Sequence, residues 1–119
     1  MLGNHPFTYD VKDRGLLQSV LNEVLNGFAL DNFDVVIGMK RSELGQLLPY
    51  LHELPGDAEV DLNLTQVMAL RNALRETLRE LGIEEFSTRT GYDFQEAKVV
   101  LEKLNQLISA NVISANERH

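Results

Sequence analysis

The chain matches itself. Slid along its own length by 53 residues, the stretch VLNEVLNGFALDNFDVVIGMKRSELGQLLPYLHEL (20–54) lies over ALRETLRELGIEEFSTRTGYDFQEAKVVLEKLNQL (73–107) without a gap. Nine of the 35 positions are identical: Leu21/Leu74, Glu23/Glu76, Leu25/Leu78, Phe33/Phe86, Gly38/Gly91, Glu43/Glu96, Leu48/Leu101, Leu51/Leu104 and Leu54/Leu107. Composition alone would give about three. Five of the nine are leucines, so a shared helical period explains part of the match. The ungapped register and the Phe/Gly pair point further, to one structural unit used twice.

The unit extends upstream. FTYDV (7–11) falls over VDLNL (60–64), and both alternate polar with apolar, the period of a short half-buried strand. Each strand leads into an amphipathic helix. The first carries Leu16, Leu17, Val20, Leu21, Val24, Leu25 and Phe28 on one stripe; the second carries Val67, Met68, Leu70, Ala73, Leu74, Thr77, Leu78 and Leu81. Thr65 is the expected N-cap of the second helix, and Gly27 and Gly82 are the expected stops. Next come FDVVIG (33–38) and FSTRTG (86–91), read as extended connectors in which Phe enters the core and Gly turns the chain. A further helix follows each: one from Ser42-Glu43, which Pro49 should kink or split, and one opened by an Asp93/Glu96 capping box. The expected fold is therefore a helix-rich α+β single domain over 1–119. Two pseudo-symmetric strand-helix-extended-helix repeats, about 7–54 and 60–107, supply four main helices and a small β element. Residues 55–59 link them, and 109–119 form a tail.

With no cysteine, disulfides, thiolate metal sites and cysteine nucleophiles are excluded. No signal peptide and no apolar run of about 20 residues is visible, so a cytoplasmic protein is expected. The net charge of -7 is spread over both halves. Nucleic acid and anionic lipid carry the same sign, which makes basic or mixed protein surfaces better partners.

No residue pattern carries chemistry. His5, His52 and His119 lack a second ligand at helical spacing, so no metal and no cofactor is expected. Glu53, Asp57, Glu59 and Asp61 read as a solvated linker without calcium-loop spacing. Glu84 and Glu85 could do acid–base work only with an apolar wall that splits their pKa values. Arg71, Arg75 and Arg79 stand at i, i+4 and i+8, where like charges repel. The stripe is either balanced by Glu76 and Glu80 or kept for a partner's carboxylate or phosphate. Arg89 sits in a short connector and must pair, with Asp93 or the Glu84/Glu85 pair nearest in sequence, or else meet a partner. Tyr92, just after Gly91, joins these candidates. A helix-turn-helix centred on Gly38 or Gly91 would make Lys40 and Arg41 phosphate contacts, but Asp93 and Glu96 oppose that in the second copy. The expectation is a non-enzymatic, acidic protein-binding module of inhibitor, immunity or adaptor type. A nucleic-acid-binding regulator and a homodimeric structural protein are the alternatives. The candidate contact residues are Arg89, Tyr92, Glu84, Glu85, Arg71, Arg75 and Arg79.

Overall fold

Leu16, Leu17, Val20, Leu21 and Val24 recur every three or four residues, and the backbone there coils into α1 (Val11–Asn22). The computed structural model describes residues 7–8, 11–54, 59–60 and 62–117, with side chains over 12–54 and 62–111. His5, Tyr9, the linker residues Pro55 to Ala58, Asp61 and His119 lie outside the described residues, as does the side chain of Glu59. After β1 (Phe7–Thr8) and α1, a π turn (Glu23–Gly27) closes through the bond from the Phe28 N–H to the Glu23 carbonyl at 3.2 Å. Then come α2 (Phe33–Ile37), α3 (Arg41–Glu53), β2 (Glu59–Val60), α4 (Leu64–Thr90) and α5 (Phe94–Glu117).

The expected α+β class is overturned: the described chain is a helical bundle. Its β1 and β2 are two residues each and pair antiparallel, Phe7 with Val60 and Thr8 with Glu59. A helix begins at the last residue of each alternating stretch: Val11 opens α1 and Leu64 opens α4. Asn63, rather than Thr65, caps α4: its Oδ1 accepts the Gln66 N–H at 2.8 Å, and Gln66 Oε1 accepts the Asn63 N–H at 3.0 Å.

The extended connectors are also overturned. FDVVI is α2, and residues 83–90 form the last part of α4. Helical spacing outweighs β-propensity there. Phe33 and Ile37, four apart, are both buried, while Asp34 and Val35 face water; Phe86 and Thr90 repeat the arrangement. Gly38 (φ 86°, ψ 18°) and Gly91 (φ 78°, ψ 7°) end the two segments in the left-handed region. Their N–H groups bond the carbonyls of Asp34 and Ser87, each at 2.9 Å. Pro49 does not split α3, which remains one helix. Gly82 is the real discontinuity of α4, with φ 73° and ψ -178°.

The core joins Leu16, Leu17, Val20 and Leu21 of α1, Leu44, Leu47 and Leu51 of α3, and Val67, Leu70, Ala73 and Leu74 of α4. Full burial of each large side chain contributes roughly 1.5–3 kcal/mol. Phe86 is fully buried and meets the Phe94 ring edge-on, with centroids 5.9 Å apart at 89°. α5 closes the bundle against α4. It is pinned to α1 by Lys12 Nζ–Glu96 Oε1 at 2.6 Å and Lys103 Nζ–Asp13 Oδ2 at 3.1 Å.

Candidate functional site

α4 is the central helix, and its surroundings decide which of its side chains meet water. From Val67 to Arg79, only Met68, Arg71, Arg75 and Arg79 reach solvent; every other residue is buried. Their spacing of three, four and four places them on one narrow strip. Everything in that strip except Met68 is cationic, on a chain of net charge -7.

The three arginines are not equivalent. Glu76 is 4% exposed and holds two of them, its Oε2 meeting Arg75 Nε at 3.3 Å and its Oε1 meeting Arg79 Nη2. Arg71 has no carboxylate partner among the described residues. Its Nε donates to Asn72 Oδ1 at 2.7 Å and its Nη1 to Asn105 Oδ1 at 3.0 Å, which fastens α4 to α5. Asn72 is fixed in turn, its Nδ2 donating to the Ile37 carbonyl at 2.9 Å. Burial, and then the neighbouring charge of Arg75, hold the Arg71 guanidinium below its ordinary pKa.

Arg89 turns inward. Its Nη2 lies 2.7 Å from Glu23 Oε1 and donates to the Gly27 carbonyl at 2.9 Å, tying the end of α4 to the π turn. Arg89 Nη2 makes its hydrogen bond to Gly27, and the buried Glu23 Oε1 faces the charge without a hydrogen bond. The sequence neighbours expected to pair with Arg89 do not. Asp93 is occupied in capping α5, its Oδ2 accepting the N–H groups of Gln95 at 3.0 Å and Glu96 at 3.3 Å. Tyr92 is half-buried, with its hydroxyl against Gly15 of α1. Glu84 and Glu85 face water beyond Gly82. The structure thus gathers Arg71, Arg75 and Arg79 into one strip and commits Arg89 and Tyr92 to packing against the N-terminal half.

Elsewhere, His52 is exposed, with Nδ1 3.4 Å from Gln18 Oε1. Arg41 reaches the Leu25 carbonyl and lies 4.5 Å over the Phe33 ring. A groove of about 520 Å³ separates α3 from the start of α4. Three of its polar lining residues, Glu43, Asn63 and Gln66, are engaged at helix starts. Among the described residues no group of three His, Cys, Asp or Glu could hold a metal ion, and no helix is long and apolar enough to cross a membrane.

Sequence reasoning missed the buried carboxylates. Glu23 and Glu76 are among the nine identities at the 53-residue offset, and an acid retained inside two otherwise leucine-rich helices was the available signal. Met68, expected on the apolar stripe of the second helix, lies instead on the exposed strip, and Asn72 and Asn105 gave no signal. Comparison with models of known protein families, with curated proteins and with solved structures finds no match to this chain.

Proposed function

We propose that the chain is a non-enzymatic, cytoplasmic protein-binding module of inhibitor, immunity or adaptor type, with the cationic strip of α4 as part of its contact face. The strip carries the reading: between Val67 and Arg79 the central helix lets only Met68, Arg71, Arg75 and Arg79 reach solvent, on an acidic molecule. Like charges at that spacing cost stability, and only Arg75 and Arg79 receive a balancing carboxylate. A protein surface of mixed charge suits both this strip and the exposed Glu80, Glu84 and Glu85 further along α4. For nucleic acid, Lys40 and Arg41 were the sequence candidates, and Arg41 is already engaged with Leu25 and Phe33. The test is capture of a stoichiometric partner on the tagged full chain, followed by reconstitution from purified components and calorimetry. A defined complex that weakens with added salt is the expected result; an empty capture at low salt refutes the reading.

A further inference from the structure

We infer that Arg71 and Arg75 form a two-point receptor for carboxylates, taking an acidic protein segment whose Asp or Glu side chains stand one helical turn apart. This rests on the protein-binding reading above and specifies the chemistry of its contact.

Arg71 is oriented without being neutralised. Its two hydrogen-bond acceptors are amide oxygens, which fix the guanidinium plane at 2.7 and 3.0 Å but carry no charge. Asn72 cannot move with it, being buried and bonded to the Ile37 carbonyl. The Nη2 hydrogens of Arg71 have no partner among the described residues, and neither do Nη1 and Nη2 of Arg75. A planar fork held in place loses little entropy when it takes a carboxylate. The two arginines are four residues apart on one helix face, about 6 Å between Cβ atoms, which matches acidic side chains on successive turns of a facing helix. An incoming anion would also relieve the repulsion between them.

The same surroundings select against polyanions. Glu76 lies beneath Arg75 and Arg79, Glu80 is exposed beside Arg79, and the molecule is acidic overall. A run of phosphates meets those charges, whereas a segment with two carboxylates does not have to. Met68, three residues before Arg71, gives the strip an apolar end on which an apolar residue of the partner can rest.

The test uses the full chain with isotope-labelled arginine, followed by NMR at the Nε–Hε groups. The probes are a short Lys/Ala helical peptide carrying two Glu residues one turn apart, its Gln counterpart, inorganic phosphate and a short DNA duplex. The Glu peptide should move the Arg71 and Arg75 resonances, weaken with salt, and lose about tenfold or more in affinity for the Arg71→Gln/Arg75→Gln protein. The helical content of that double variant, read by circular dichroism, confirms that it is folded; Arg75→Gln alone, with Arg71 still in place, serves if it is not. Equal shifts from the Glu and Gln peptides overturn the inference. So do larger shifts from phosphate or DNA than from the Glu peptide. If the double variant still retains the stoichiometric partner of the natural chain, the protein-binding reading stands and the receptor falls. If the natural chain captures nothing, the reading falls, and the peptide titration decides the receptor by itself.

Discussion

Gly82 separates two effects of a glycine substitution that are usually mixed. Its φ of 73° and ψ of -178° lie in a region that essentially only glycine occupies. A Cβ built there meets nothing within 4 Å beyond the local backbone, so packing against the rest of the molecule contributes nothing. The cost of Gly82→Ala is then conformational alone, about 1–3 kcal/mol. For a domain of this length that is roughly 4–12 °C in melting temperature. Gly45, inside α3, provides the control: its Cβ would also meet nothing within 4 Å, but its backbone is helical. Gly45→Ala should gain about 0.5–1 kcal/mol. Asparagine sharpens the contrast. Gly38 is in the left-handed helical region, which Asn tolerates, so Gly38→Asn should cost much less than Gly82→Asn. Urea denaturation followed by circular dichroism measures all four variants. If Gly82→Ala matches the natural chain while Gly45→Ala is stabilised as expected, the break in α4 does not exist.

Two further outcomes concern the buried acids. Arg89→Ala leaves Glu23 buried beside the π turn without its counter-charge, and should cost about 2–4 kcal/mol, at the low end because the Arg89 side chain is 32% exposed. Adding Glu23→Gln should restore much of that loss in a double-mutant cycle, whereas additive losses would show that the pair is not coupled. Glu76→Gln should cost only about 1 kcal/mol, because the freed Arg75 and Arg79 side chains are 46% and 71% exposed and can be solvated where they stand. A loss of several kcal/mol by thermal unfolding would mean that Glu76 holds more than those two residues.

Much of the helical layout was legible because period and punctuation agreed. The α1 stripe, the Asp93 cap and the glycine stops follow from side-chain spacing and backbone freedom, which are local properties. Val35 and Val36 misled, as did Thr88 and Thr90: their β-branched side chains favour strands, but Phe33–Ile37 and Phe86–Thr90 are four-residue pairs that a helix buries together. In α2 the four-residue pair spacing, not the β-propensity, decides the backbone. The strands were overread because alternation over five residues does not reveal that a cap such as Asn63 will start a helix at its end. For the site, Arg71, Arg75 and Arg79 were visible as a stripe. That their face is the solvent-exposed one of a central helix depends on how α2 and α5 flank it, and no local pattern encodes that. The partner of Arg89, 66 residues earlier at Glu23, was beyond local reading for the same reason.

The ties that fasten α1 and the π turn after it have a consequence for the order in which the molecule is assembled. Lys12 and Asp13 of α1 and Glu23 of the π turn meet Glu96, Lys103 and Arg89, all in the last third of the chain. During synthesis α1 emerges first, yet the helices that bury Leu16, Leu17 and Val20 follow far behind. Until α4 leaves the ribosome, that apolar stripe has only α3 to cover it. Contacts of such long sequence separation slow folding and leave nascent segments exposed. Ribosome-bound chains stalled after α3 should therefore be cut readily by protease, and chains long enough to release residue 107 should resist. Early resistance would mean that the first half folds unaided. Otherwise the apolar face of α1 waits for α4, and its surface ties wait for α5.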